Sequence, residues 1–179
     1  MSTLELKELS HPSGEVIKIA SGKTLDLHSQ GTLVLPTIPY AKMPTGSVLQ
    51  VVSSGTGSLT AFSGTSGLVI GATITPKQTS GTFLITVVMS SITIDSHAGY
   101  SQFQLKQNGT TIESFGYPFG WSSSDNDKGD RTLNKTISFS TSGGSFTFDA
   151  YYIGNGSQGV QVNRDGQGWS SVTIMEIAQ

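Results

Sequence analysis

The chain has 179 residues, of which 12% are charged, with a formal net charge of −2 and no cysteine. These values exclude disulfides and thiolate metal sites, and they provide no basic surface for nucleic-acid phosphates or a membrane. No run approaches the roughly 20 apolar residues of a membrane span. The first ten residues carry no signal-peptide pattern, so we expect synthesis in a cytoplasm.

Residues 1–45 are predicted to form an extended β-arm with a proline-rich linker. Three very short strand-like runs lie between residues 15 and 35, and Pro36, Pro39 and Pro44 then interrupt any ladder or helix. Pieces of this size cannot bury their own apolar side chains, so we expect them to contact other copies of the chain or a partner protein. The apolar residues of the arm are Val16, Ile17, Ile19, Leu25, Leu27, Leu33 and Leu35.

Residues 46–179 are predicted to form an all-β head, an antiparallel β-sandwich of about eight strands. Its longest apolar run, Phe83 to Ser90, is rich in β-branched residues and too short for a free-standing helix. Alternate residues of this run are all apolar on one face, which indicates a central strand with neighbours on both edges and a second layer above it. We expect Ile92 to Asp95 to continue the strand past a bulge at Ser90 and Ser91.

A β-hairpin is the strongest local signal in the head. Apolar and polar residues alternate from Gln102 to Phe115 on either side of Asn108 and Gly109, a pair suited to the positive φ angles of a type I′ turn. Strand patterns also cover residues 47–52, 68–75, 133–140, 145–153, 159–164 and 169–177. The last of these is too apolar for a loose tail and predicts an inner strand of the sandwich.

Two motifs resemble binding sites and are better explained structurally. Gly154 to Gly159 matches G-x-G-x-x-G, but a strand pattern follows it, whereas the dinucleotide fingerprint must open a helix. The loop Asp125 to Asp130 has the oxygen density of a calcium site without the closing acidic residue of an EF-hand, so a solvated loop is the default interpretation. The three histidines are scattered and no G-x-S-x-G elbow occurs. We therefore predict no catalytic residue, no cofactor and no metal site.

Aromatic side chains in the loops have two interpretations. Tyr117, Phe119 and Trp121, together with Tyr100 and Trp169, are interspersed with serine, asparagine and aspartate. Exposed rings in such surroundings suit stacking on sugars, whereas rings at the end of a sandwich or at a subunit interface simply pack. Packing is the favoured interpretation, and a glycan-binding loop at Tyr117, Phe119 and Trp121 is the alternative.

The order of several segments resembles a group of tailed-phage virion proteins, which includes capsid decoration (cement) proteins and the heads of tail fibres. The head segments are Val48 to Val52, Gly81 to Val87, Phe103 to Lys106 with Thr110, and Ser171 to Ala178; in the arm, Ile17 to Leu27 is similar to the short β-repeats of trimeric fibre shafts and cement-protein tails. The resemblance implies a jelly-roll head, a homotrimer and a structural role in a virus particle. It implies no catalytic residues.

Two functions follow as expectations. The first is a homotrimeric capsid decoration protein that binds major capsid proteins at their junctions on the outside of the virion and stabilises the capsid. The second is the receptor-binding head of a tail fibre that recognises a host surface glycan. The short segment before the head favours decoration, because a complete fibre normally carries an attachment domain and a shaft.

Overall fold

The computed structural model describes residues 38–62, 65–94, 101–115, 129–154, 160–166 and 168–179. All of them belong to one compact unit, Ile38–Gln179. The arm residues 1–37 lie outside the described residues, so the predicted division into arm and head stays a prediction. The described strands are β1 (Val48–Thr56), β2 (Thr60–Phe62), β3 (Ser66–Ile74), β4 (Ser80–Ile94), β5 (Ser101–Gln107), β6 (Thr110–Phe115), β7 (Gly129–Ser140), β8 (Phe146–Gly154), β9 (Val160–Val162) and β10 (Ser170–Ile177), with 3-10 turns at Tyr40–Lys42 and Arg164–Gly166.

The strands form two antiparallel sheets that pack as a jelly-roll β-sandwich. One sheet has the order β1-β10-β4-β7, with the short strands β9 and β2 added beyond the bulge of β4. The other has the order β3-β8-β5-β6. If the eight long strands are lettered B to I in chain order, the two sheets read BIDG and CHEF, which is the jelly-roll arrangement. The predicted fold class is confirmed.

Strand β4 is central, as its sequence predicts. It pairs with β10 through Thr82 to Val88 on one edge and with β7 through Ser80 to Met89 on the other. The side chains of Phe83, Ile85, Val87 and Met89 are fully buried between the two sheets. Burial of such side chains stabilises a fold by about 2 kcal/mol each.

The predicted bulge is present. The register of β4 against β7 shifts between Met89 and Ile92, and Ser91 has a left-handed φ of 49°. Beyond the bulge, Thr93 and Ile94 pair with β9. The bend therefore lets one strand serve two sets of neighbours along its length.

Aromatic rings fill one region of the core. Phe83 stacks on Phe139 with centroids 4.1 Å apart and meets the edges of Phe146 and Phe148 at 5.3 and 5.6 Å. These four rings come from both sheets, since β4 and β7 belong to one and β8 to the other. Their mutual packing fixes how the sheets are stacked.

The hairpin and the carboxyl-terminal strand are also confirmed. Asn108 and Gly109, with φ of 48° and 84°, join β5 to β6 in a two-residue turn. The backbone N–H of Thr147 donates to Oδ1 of Asn108 over 2.8 Å, so the turn is attached to β8. Strand β10 lies between β1 and β4, which places the end of the chain inside the sheet.

Candidate functional site

The edge strands on one side of the sandwich carry no charged residue. Between Lys42 and Lys77 the sequence contains no aspartate, glutamate, lysine or arginine, and this stretch includes β1, β2 and β3. Strands β1 and β3 each lie at the edge of a sheet. We call the surface formed by β1, β2, β3 and their connections the charge-free side. Natural sheet edges are commonly protected from pairing by charged side chains, and these two lack that protection.

The opposite edges, formed by β6 and β7, are charged. Nζ of Lys135 on β7 lies 2.7 Å from Oε2 of Glu113 on β6, and this ion pair links the two sheets. Hydrogen bonding and Coulombic attraction from Lys135 lower the pKa of Glu113 below its ordinary value. Arg131 also lies on β7. An edge with such charges resists pairing with another strand, so the two sides of the sandwich differ in what they accept.

The exposed large apolar side chains of the described residues concentrate on or next to the charge-free side. Each is between 43% and 64% exposed. They are Ile38, Tyr40, Val48, Val51, Leu59, Leu68 and Trp169. Single exposed apolar residues are normal, but a set confined to one segment of the fold is typical of a contact surface.

Segment 38–42 is attached to the connection between β3 and β4. The side-chain amide of Gln78 donates to the backbone O of Tyr40 over 2.7 Å, and Nζ of Lys77 lies 5.7 Å from the centre of the Tyr40 ring. The backbone N–H of Gly46 donates to the O of Ala178 over 2.9 Å. The chain is therefore held against the head well before β1 begins.

Trp169 lies over the bare backbone at the end of β1. A Cβ atom added to Gly55 would fall 2.5 Å from Nε1 of Trp169, and one added to Gly57 would fall 3.2 Å from its Cε3. Gly55 thus allows the indole to approach the backbone more closely than any side chain would, and Gly57 leaves it room beyond the end of the strand. The residue is still 64% exposed, the largest exposed fraction among these apolar residues.

The outer face of the larger sheet is neutral across four strands. In one row, Ser53 of β1 pairs in register with Thr173 of β10, which pairs with Thr86 of β4 and then Asn134 of β7. The hydroxyls of Ser53 and Thr173 lie 2.8 Å apart, and Thr86 donates to Oδ1 of Asn134 over 2.8 Å. We call these four side chains the polar row.

The outer face of the smaller sheet is charged instead. Nζ of Lys106 lies over the Tyr151 ring, 4.0 Å from its centre. Asp149 pairs in register with both Lys106 and Gly71. Burial raises the pKa of Asp149 above its ordinary value, and the charge of Lys106 partly offsets that shift. Because Lys106 already occupies the ring face, Tyr151 is not an open stacking surface.

The residues singled out from the sequence fall mostly outside the described residues. This holds for the seven apolar arm residues, for Tyr117, Phe119 and Trp121, and for the loop from Asp125 as far as residue 128. Asp130 is described, and its Oδ1 accepts from the hydroxyl of Ser90 and the N–H of Ser91 over 3.0 and 2.8 Å, so it supports the bulge of β4. Gly154 ends β8 and Val160 begins β9, which places the glycine motif between two strands.

Sequence reasoning missed the charge-free side and the position of Trp169. The first was readable as the absence of charge between Lys42 and Lys77, and the second required the register that places Trp169 beside Gly55 and Gly57. Within the described ranges, no group of three or more histidine or acidic residues is arranged to hold a metal ion. No helix among those same residues is long and apolar enough to cross a membrane.

Comparison with known proteins gives structural likenesses alone. No family model and no curated protein matches the chain. Similar solved structures include dimeric latent PorU from Porphyromonas gingivalis, with a TM-score of 0.40, 16% identity and coverage of 74% of this chain and 11% of PorU. A family 35 carbohydrate-binding module from Clostridium thermocellum has a TM-score of 0.33, 10% identity and coverage of 69% and 97%. A chain of infectious bursal disease virus, Gx strain, has a TM-score of 0.35, 11% identity and coverage of 80% and 36%.

This chain therefore spans 11% of the length of PorU. At these TM-scores and identities the likenesses give no basis for assigning a function, which must be argued from the surface of the head.

Proposed function

We propose that the chain is a non-enzymatic structural protein of a virus particle, a homotrimeric decoration protein on the outer surface of a phage capsid. The observation that carries the proposal is the concentration of exposed apolar side chains on β1, β3 and the β1–β2 connection, namely Val48, Val51, Leu59 and Leu68. A surface of this kind favours contact with another protein over exposure to water. Trp169 precedes β10 and is not assigned to this contact. The assignment to a phage particle rests on the sequence resemblance to tailed-phage virion proteins.

The charge-free side is the surface through which the heads associate. Two unprotected edges, β1 and β3, lie there, with Val51 exposed on one and Leu68 on the other. The charged edges at β6 and β7 lie on the opposite side of the sandwich. We therefore expect the heads to associate through β1 and β3 and not through β6 and β7. A heterologous contact between copies forms a ring when its rotation closes, and a trimer is the closed form proposed here.

The arm supplies the second set of contacts. We assign the apolar residues Val16, Ile17, Ile19, Leu25, Leu27, Leu33 and Leu35 to contact with the other copies and with major capsid proteins. A trimer that engages several capsid subunits at once binds with high effective concentration. Such binding stabilises the assembled state by mass action.

The receptor-binding head of a tail fibre is the second candidate. The exposed ring of Trp169 favours it, because an aromatic face open to solvent is suited to stacking on a sugar. On this candidate the protein sits at the tail of the virion and its partner is a host surface glycan.

Gold labelling of purified virions separates the two candidates. An antibody raised against residues 38–179 is expected to label the whole capsid surface if the chain decorates it. Gold at the tail alone would replace decoration with the fibre candidate. Particles without gold, in a preparation where the same antibody detects the purified chain, would contradict both.

A further inference from the structure

The indole of Trp169 is held flat against the sheet by its two glycine neighbours. Atoms from both of its rings approach the backbone: Nε1, Cε2 and Cζ2 lie over Gly55, and Cε3 and Cζ3 lie over Gly57. Gly55 lies on β1 and Gly57 follows directly after its last residue, so the ring spans the end of the strand. One ring face therefore covers backbone, and the other accounts for the 64% exposure of the residue.

This arrangement supports the ring on one face and leaves the other face open. Any side chain at position 55 would collide with the ring, so this placement of the indole requires glycine at position 55. A Cβ at position 57 would make a tight contact of 3.2 Å with Cε3. A ring that is already fixed loses little conformational entropy when a ligand stacks on it. Burial of apolar surface does not explain why a tryptophan occupies position 169, because the ring covers two glycines while its own outer face stays in water.

The surroundings of the ring indicate the chemistry of a ligand. Ser171 pairs in register with Gly55. The polar row, Ser53, Thr173, Thr86 and Asn134, begins two pairs further along β1 and β10, at the next outward-facing position. These groups donate and accept hydrogen bonds but carry no charge. Over the registered outer positions of β1, β10, β4 and β7 from Thr82 to Val88, no side chain is charged.

We propose that Trp169 and the polar row form a binding site for a neutral glycan, with one pyranose ring stacked on the indole and its neighbours along the row. Stacking on the indole buries the apolar face of a sugar ring. The hydroxyl and amide groups beside the indole can form hydrogen bonds with the sugar hydroxyls. Acidic sugars lack a cationic partner among these positions. This site is distinct from the loop containing Tyr117, Phe119 and Trp121, and it rests on the second candidate function above, whose glycan contact it places at Trp169.

Intrinsic fluorescence can test the site directly, because the chain has two tryptophans. In Trp121→Phe, Trp169 becomes the sole tryptophan, so a change in tryptophan emission reports on that ring. Titration with cellohexaose, maltohexaose, laminarihexaose and N-acetylchitohexaose is expected to give a saturable emission change with at least one of them. Oligogalacturonate, the acidic probe, is expected to give none. The affinity should vary little with salt, since no charges pair.

Titration calorimetry of variants with the same sugars then distinguishes loss of the stacking contact from loss of the folded structure. Trp169→Ala should weaken binding by about tenfold or more, as loss of one aromatic stacking contact implies. Gly55→Ala retains the tryptophan but displaces its ring, and is expected to weaken binding as well. Gln104→Ala, on the outer face of β5 in the smaller sheet, is the matched control and should bind as the parent does.

Two results would overturn the proposal. One is the absence of any emission change in Trp121→Phe with all four neutral sugars at millimolar concentration. The other is unchanged affinity in a folded Trp169→Ala variant, judged by an unaltered circular dichroism spectrum. Either leaves the decoration proposal standing, because that proposal rests on association of the heads and on gold labelling.

Discussion

Replacing Glu176 by alanine is expected to lower the free energy of unfolding by about 3–5 kcal/mol, because it removes a buried carboxylate that accepts from three part-buried donors. The carboxylate is fully buried. It accepts from the backbone N–H of Lys77 at 2.9 Å, from that of Gln78 at 3.1 Å and from the side-chain amide of Gln50 at 2.6 Å. These donors come from β1 and from the connection between β3 and β4, so one side chain of β10 holds the neighbouring strand and the chain crossing between the two sheets.

Urea unfolding of Glu176→Ala and the parent measures this loss. Glu176→Gln has nearly the same shape but turns an amide donor toward other donors, and we expect it to lie between the two. Glu113→Gln is the matched control, since its ion pair with Lys135 is partly exposed and contributes little. Equal stability of Glu176→Ala and Glu113→Gln would contradict the role assigned to Glu176.

Replacing Asn163 by alanine in the parent chain is also expected to lower the free energy of unfolding by about 3–5 kcal/mol. Asn163 is fully buried and has a left-handed φ of 59°. Its Nδ2 donates to the backbone O of Thr56 and of Ser58, both over 3.1 Å, and its Oδ1 accepts from the hydroxyl of Ser170 over 2.8 Å. The residue thus joins the end of β1 to the turn between β9 and β10.

A short substitution series divides that cost between backbone and side chain. Asn163→Gly tolerates the positive φ, so it should be about 1 kcal/mol less damaging than alanine, which is strained there. Asn163→Asp keeps the acceptor but faces two carbonyl oxygens with a carboxylate, and it should regain stability as the pH falls and that group is protonated. Thermal unfolding at pH 4 and pH 7 checks both; an alanine variant as stable as the parent would refute the account.

The parts of the fold that could be predicted from sequence are those set by local patterns. The buried face of β4 follows from alternation of Phe83, Ile85, Val87 and Met89, and the turn of the β5–β6 hairpin follows from Asn108 and Gly109. Both depend on the two-residue period of a strand and on the φ preferences of turn residues. The strand order depends on pairing between residues that are far apart in the sequence. Even so, the apolar carboxyl-terminal segment correctly predicted an inner strand.

Long-range polar contacts could not be predicted in this way. Asn163 and Glu176 look like surface residues in the sequence, and their roles depend on partners up to 126 positions away, as for Gln50 with Glu176. The contacts of Trp169 with Gly55 and Gly57 likewise depend on the register between β1 and the start of β10. The sequence did contain the charge-free stretch, but its position on two sheet edges appears only when the strand order is known.

Sedimentation velocity of the full chain tests the proposed association through the charge-free side most directly. The account predicts a species of three times the chain mass of 18.8 kDa. Val51→Lys and Leu68→Lys, which place a charge on the exposed positions of β1 and β3, should shift it to the monomer. Thr136→Lys, on the outer face of β7, is the matched control and should remain a trimer. A monomeric parent, or a Val51→Lys, Leu68→Lys double variant that stays trimeric, would contradict the account.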